Sequence, residues 1–279
     1  MIQPKIEITS SKFGGGSLVN YHAIERLPAI VNAEANGMIN FVFVSAIGKT
    51  TNFLEEVWRY YYWLSETNQA NAKEAVRHLD AIKDFHLEIC RNLFPKEHDI
   101  FKKVENKFNV VSKTLQANNM RLVQYEPRDY SWIVSKGEVV SSMIVSDYLK
   151  LKGYDNFLLN AKEIVKTHGT IYRNAEIDLV TTKCCLLNNL RSLNPPNGQL
   201  NVVMAGFIAS RAQTCQTVTL GREGSDISAS VIARLLSEIA GEAGMSPTIK
   251  LKFFKEHAYH ETDPAVDSKA FHMKEVSFD

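Results

Sequence analysis

The stretch Thr217–Ala233 reads T-V-T-L-G-R-E-G-S-D-I-S-A-S-V-I-A. A short β-rich run, Thr217–Leu220, breaks into Gly221-Arg222-Glu223-Gly224-Ser225-Asp226. After it Ile227, Val231, Ile232, Leu235, Leu236 and Ile239 recur at helical spacing. The pattern predicts a strand, a tight loop bracketed by glycines, and a helix with Ser225 and Asp226 at its N-cap. Gly221 and Gly224 permit positive φ and close approach of a ligand to the backbone. The loop carries a cation, Arg222, and an anion, Asp226, and the helix N-terminus behind it favours an anion. Two readings fit the stretch alone: a site for a small charged molecule, or a capped turn with a surface ion pair.

Three earlier glycine-marked stretches favour the site. Residues 5–13 read as a strand that runs through Lys12 into Gly14-Gly15-Gly16-Ser17, followed by a helix over about 21–35. A Gly-rich turn between strand and helix can cradle a phosphate; the plainer reading is a flexible turn with a solvated lysine. The apolar run Ile39–Val44 suits a strand buried on both faces and ends at Ser45-Ala46-Ile47-Gly48-Lys49-Thr50-Thr51-Asn52. This is not a P-loop, because that motif needs a glycine where Phe43 stands. Gly137-Glu138 opens a further helix; Glu138 either only suits the helix dipole or holds an ammonium group. Each of the four loops follows a strand or opens a helix. In a parallel sheet covered on both faces, ligands bind beyond the carboxyl ends of the strands. The shared position of the loops predicts one site.

Between these loops residues 53–118 read as mostly helical, with apolar stripes through Val76, Leu79, Ile82 and Phe85, and through Ile100, Val104, Phe108 and Val111. His78 and His86 on these helices lack ligand-spaced partners and read as core or surface residues. His257, His260, Glu261 and Asp263 are too loosely spaced for a metal site. With 45% hydrophobic and 23% charged residues over 279 positions, the chain has the composition of an ordinary globular protein. Its net charge of +1 makes no electrostatic case for nucleic acid or an anionic membrane. Four cysteines without a C-x-x-C pair fit a reducing cytosol. No signal peptide or spanning segment is read, so the expected location is cytoplasmic.

Taken together these stretches resemble the aspartokinases of the amino-acid kinase superfamily. K-F-G-G-G-S (12–17), V-S-A-I-G-K-T-T-N (44–52), S-K-G-E (135–138), G-F-I-A (206–209) and T-L-G-R-E-G-S-D (219–226) are similar to that family's motifs, in the same order. The resemblance implies a three-layer αβα sandwich around a mainly parallel, roughly eight-stranded sheet, with a helical insertion at about 53–118. It implies a single catalytic domain, an amino-acid-binding lobe over about 1–205 and a nucleotide-binding lobe over about 206–279, with no regulatory ACT domain. The implied reaction is transfer of the γ-phosphoryl group of ATP to the side-chain carboxylate of L-aspartate. It gives 4-phospho-L-aspartate and ADP, at the entry to lysine, threonine and methionine biosynthesis, in a homodimer.

The carboxylate is ionised at pH 7, so no general base is needed, and catalysis reduces to alignment and charge neutralisation. By resemblance Lys12 and Asp226 are catalytic. Ser45, Thr51, Glu138, Phe207, Arg222 and Ser225 bind the amino acid. Gly14, Gly15, Gly16, Ser17, Gly221, Gly224 and Asp263 line the phosphates and nucleotide. Mg²⁺ is held through ATP with no direct protein ligand. The chain departs from the family pattern at Gly16, where a threonine is usual, at Asn160-Ala161-Lys162, at Ala209, and at Phe253-Phe254-Lys255-Glu256-His257. The family's later lysine-bearing motif has no counterpart. The departures concentrate at the nucleotide end. Two alternatives therefore stay open: a kinase-derived, non-catalytic amino-acid-binding or assembly protein, and a paralogue that phosphorylates another amino acid.

Overall fold

A computed structural model of the chain describes residues 3–35, 37–63, 69–117 and 127–255. Its central sheet contains β1 (Lys5–Phe13), β2 (Ile39–Val44), β3 (Phe157–Leu159), β5 (Leu200–Ala205) and β8 (Ser246–Phe254). They are ordered β3-β5-β2-β1-β8, and every neighbouring pair is parallel. The remaining strands, β4 (Lys166–Thr167), β6 (Ile208–Arg211) and β7 (Thr217–Thr219), form a second small sheet in which β6 and β7 are antiparallel. The expected single sheet of roughly eight strands is thus divided into five and three. β4 and β6 are too short, and too close to turn residues, to announce themselves as strands.

Side-chain alternation sets the layers. In β2, Phe41 and Phe43 face one core and Val42 and Val44 the other; all four are buried. In β5, Val202 and Met204 go one way and Val203 the other. The core holding Phe41 and Phe43 is covered by α9 (Leu179–Arg191) and α10 (Gly224–Glu242), through Leu186, Ala229, Ile232, Leu235 and Leu236. The opposite core is covered by α3 (Thr50–Trp63), α4 (Gln69–Leu93), α5 (Ile100–Ala117) and α7 (Lys136–Leu151). Each large side chain fully buried here contributes roughly 1.5–3 kcal/mol, so a strand like β2, apolar on both faces, is stable only between two helical layers. The result is the expected αβα sandwich, with α3–α5 as the helical insertion. Along β1, Ile6 and Ile8 lie in the core under α10, and Ser10 donates to the carbonyl of Ala229 in that helix, 3.1 Å. Period-two alternation then sends Lys12 toward the same helix.

Two local expectations fail for identifiable reasons. The helix expected over 21–35 is broken into α1 (Tyr21–Glu25) and α2 (Leu27–Glu34), with Pro28 in the first turn of the second, where its missing N–H is tolerated. The expected N-cap at Ser225 and Asp226 lies two to three residues too far on. α10 begins at Gly224, its cap is Glu223 in the left-handed conformation (φ 53°), and Ser225 and Asp226 are buried in the first turn. Among the described residues the remaining helices are α6 (Pro127–Val134) and the single turn α8 (Ala161–Ile164).

Candidate active site

Because the central strands are parallel, the ends of β1, β2, β5 and β8 open onto one edge. Lys12 is the next-to-last residue of β1. Its Nζ lies 2.6 Å from Oδ1 of Asp226, and both side chains are largely buried. The turn after β1 is one 3₁₀ turn, Gly15–Leu18. Its glycines serve packing as well as any ligand. A Cβ on Gly15 would meet the carbonyl oxygen of Gly48 at 2.8 Å and that of Ala46 at 3.0 Å. The nearest atoms to a Cβ on Gly14 would be the carbonyl oxygen of Phe254, at 3.4 Å, and Nζ of Lys12, at 3.5 Å, so the lysine folds over its own turn. The Gly14 N–H and the Ser17 hydroxyl both donate to the carbonyl of Phe254, each at 2.9 Å. Gly16 lies in the same turn, partly exposed.

Ser45 stands in the turn after β2, and Thr51 in the first turn of α3 that follows it. The Ser45 hydroxyl donates to that of Ser225 (2.9 Å), and the Ser45 carbonyl accepts from Ser141 (2.6 Å). Gly137 lets α7 start directly against this turn, since a Cβ there would stand 2.9 Å from Cβ of Ala46. That contact carries Glu138 inward to the Thr51 hydroxyl, 3.4 Å from Oε1. Glu138 is buried, and its Oε2 has no hydrogen-bond partner among the described residues. Burial pushes its carboxyl up to about 8. The nearby backbone N–H groups of Glu138 and Ala46, the Thr51 hydroxyl and the charge of Lys12 pull the other way without offsetting it.

The end of β5 supplies Gly206 and Phe207. A Cβ on Gly206 would fall 2.5 Å from Cβ of Ser225, so only glycine lets β5 pass the first turn of α10. Phe207 has φ 66°, strained for a bulky residue. It is held by its N–H donating to Ser228 (3.1 Å) and its carbonyl accepting from Leu220 (2.9 Å). Its ring explains Gly224, where a Cβ would meet the ring at 2.8 Å. Gly221 does adopt positive φ (80°), and a Cβ there would collide with the Asn174 side chain at 1.8 Å.

The structure therefore joins Lys12, Asp226, Ser225, Ser45, Thr51 and Glu138 into one group. Arg222 stands apart: it is exposed and makes no hydrogen bond or ion pair among the described residues. Asp263 lies outside the described residues. Sequence reasoning missed Lys255, whose Nζ reaches Oδ2 of Asp226 (2.6 Å) and Oε2 of Glu223 (2.8 Å). It also missed Ser141 and Ser228, whose hydroxyls hold the Ser45 and Phe207 backbones, and Asn174, whose side chain lies against Gly221; none of the three carries a local signal. His86 is buried in the helical layer, with Nδ1 2.7 Å from the Ile82 carbonyl, and desolvation lowers it to about 4.

A buried lysine–carboxylate pair beside a glycine turn, at the open edge of a parallel sheet, is equipped to bind and neutralise anions. The chain belongs to the amino acid kinase family, whose model matches residues 11–238. Within that family it resembles the catalytic domains of aspartokinases. It is 26% identical over 276 residues to the lysine-sensitive aspartokinase 3 of Escherichia coli, covering 98% of this chain and 54% of that protein. It is 27% identical over 231 residues to the bifunctional aspartokinase/homoserine dehydrogenase of Buchnera aphidicola, covering 81% of this chain and 26% of that one. The chain thus spans about half the length of the first relative and about a quarter of the second. Among solved structures it is similar to E. coli aspartokinase III in complex with lysine and aspartate, with a TM-score of 0.74 at 25% identity over 96% of this chain and 54% of that one. Against the same enzyme in complex with aspartate and ADP the TM-score is 0.73, also at 25% identity, over 95% and 53% of the two chains. Among the described residues no helix is long and apolar enough to cross a membrane.

Proposed function

We propose that this chain is an ATP-dependent kinase that phosphorylates the side-chain carboxylate of L-aspartate. The observation that carries the reading is the placement of buried Glu138, one oxygen of which has no hydrogen-bond partner among the described residues, on the same strand-edge site as the Lys12–Asp226 pair. The first suits an α-ammonium group and the second suits phosphate. The aspartokinase relatives, one of them solved with aspartate and ADP, support the same assignment.

In this reading Glu138, with Thr51 beside it, pairs with the α-ammonium of aspartate. Arg222, exposed on its loop, folds over the substrate to grip a carboxylate with two parallel hydrogen bonds. Ser45 and Ser225 orient the amino acid, and Phe207 walls the pocket. An oxygen of the β-carboxylate attacks the γ-phosphorus, the bond to the β,γ-bridging oxygen breaks, and ADP departs. No proton is transferred. Lys12 neutralises charge on the transferring group, and Asp226 fixes the position of Lys12. Gly14, Gly15, Gly16, Ser17, Gly221 and Gly224 surround the phosphates; Asp263, outside the described residues, is assigned to the nucleotide by resemblance alone. Both oxygens of Asp226 carry ammonium groups, which fits Mg²⁺ held by phosphate oxygens and water; when bound it screens phosphate charge. The chain is one catalytic domain, with aspartate on the side of residues 1–205 and nucleotide toward 206–279, and it sits at the entry to aspartate-derived amino-acid biosynthesis.

The test is an ADP-release assay with Mg-ATP, with and without L-aspartate, beside calorimetric titration of each ligand. Aspartate-dependent release is expected. ATP-independent aspartate binding without turnover would overturn the kinase reading in favour of a binding protein. Release with a different amino acid only would overturn the substrate.

A further inference from the structure

Lys255 follows β8 directly, and its role depends on the pairing of β8 with β1. That pairing runs in register from Lys5 with Ser246 to Phe13 with Phe254, and the two final phenylalanine rings stack at 4.5 Å. Lys255 is thereby delivered beside the glycine turn, whose Gly14 N–H and Ser17 hydroxyl are both tied to the Phe254 carbonyl. There the two oxygens of one buried carboxylate are divided between two lysines: Oδ1 of Asp226 to Lys12 and Oδ2 to Lys255. Lys255 has a second anion, Glu223, at 2.8 Å.

The two anions differ in kind. The Asp226 side chain is 12% exposed and that of Glu223 is 68% exposed. An ion pair with an exposed carboxylate is weak and screened, and is readily exchanged for another oxygen anion. The buried Asp226 contact is the lasting one. Glu223 is also a residue with a Cβ held at φ 53°, a conformation strained for any residue but glycine. The arrangement is two ammonium groups at a spacing set by one carboxylate, one of them covered by a replaceable anion, at the mouth of a glycine turn.

We propose that Lys255 is a second phosphate-facing cation of this site, which exchanges Glu223 for an oxygen of the triphosphate of the bound nucleotide while Asp226 keeps it beside Lys12. Glu223 acts as the stand-in anion that occupies Lys255 until the triphosphate arrives. The proposal rests on the nucleotide-dependent reading above, and deepens it by adding a residue that faces the nucleotide.

The experiment compares the full chain with Lys255→Met, Lys255→Arg and Glu223→Gln. Mg-ATP and inorganic tripolyphosphate are titrated calorimetrically, and aspartate in parallel. The expected result is a loss of tenfold or more in affinity for both polyphosphates in K255M, about the size of one charge-assisted contact. Recovery to within about threefold is expected in K255R, with aspartate affinity changed less than twofold throughout. E223Q should bind tripolyphosphate as well as or better than the unmodified chain. Equal weakening by K255M and E223Q would instead mark the pair as a structural latch and overturn the proposal, as would an unchanged polyphosphate affinity in K255M. Failure of the kinase reading is separable. If the unmodified chain binds tripolyphosphate through Lys255 but shows no aspartate-dependent ADP release, that reading falls and the Lys255 assignment stands. If it binds neither polyphosphate, both fall.

Discussion

Two buried carboxylates lie in the same site, and their surroundings are opposite. Asp226 carries a lysine on each oxygen. Glu138 has one long contact to a threonine hydroxyl and an oxygen with no hydrogen-bond partner among the described residues, and the nearby backbone N–H groups, that hydroxyl and the more distant charge of Lys12 do not offset its burial. The charge of Asp226 is already answered by two ammonium groups, each at 2.6 Å. Glu138 lacks a cation, and its carboxyl is pushed up to about 8 by the missing solvation. The contrast teaches where an incoming cation and an incoming anion belong. An ammonium completes Glu138, whereas the ammonium groups already gathered on Asp226 await phosphate.

The strongest way to break this contrast is Lys12→Ala. Turnover should fall by about 10³ or more, as when a transition-state charge loses its partner, with aspartate affinity within a few-fold of the original. Loss of aspartate binding instead would put Lys12 on the substrate side. Because Lys255 still covers Asp226, the stability loss in a thermal melt should be smaller than the ~3–5 kcal/mol of a buried charge left alone.

Glu138→Gln keeps the shape and removes the charge. Aspartate affinity should fall by about 10- to 100-fold, the worth of a charge-assisted contact, with nucleotide affinity unchanged. An equal fall for both ligands would mean that Glu138 only supports the fold. Arg222→Ala should cost about 1.5–3 kcal/mol in kcat/KM for aspartate. Activity within threefold of the original would show that this exposed side chain never reaches the substrate.

The pH dependence sharpens the same point with smaller effects. Between the ordinary value of 4.5 and about 8, the folded chain holds a proton on Glu138 that the unfolded chain has released. Stability without ligand should therefore decline as pH rises through that window, and E138Q should flatten the decline. An ammonium ligand needs the ionised form. Aspartate should thus bind with release of a proton below pH 8, its affinity rising by at most about tenfold per pH unit. Calorimetry in buffers of different ionisation enthalpy reads that proton directly; none released would remove Glu138 from the ammonium site. His86 acts at the other end of the scale. It is neutral in the fold and lowered to about 4, so it withdraws stability as pH falls below its ordinary 6.5.

Much of the site is legible in the chain because its demands are local. Gly14 to Ser17 follow β1, Ser45 to Asn52 follow β2, Gly137-Glu138 open α7, and Gly221 to Asp226 lead into α10. Each announces itself by a glycine or hydroxyl cluster at the end of an apolar run. What several of these glycines do is not local. Gly15, Gly137 and Gly206 make room for the carbonyls of Gly48 and Ala46, the methyl of Ala46 and the side chain of Ser225. The helix start at Gly224 was misplaced because Ser225 and Asp226 have the chemistry of caps, while a left-handed Glu223 takes the position.

Local patterns of residues sufficed for the alternation of strands and helices, the buried double-sided strands and the motif residues that gather at one edge, since periodicity and turn chemistry act over a few residues. Packing settles the rest: that the strands of the described residues divide into sheets of five and three, that Glu138 loses its solvent, and that Lys255 joins Lys12 on one carboxylate. Those outcomes depend on desolvation and on contacts between residues far apart in the chain, and neither leaves a local mark.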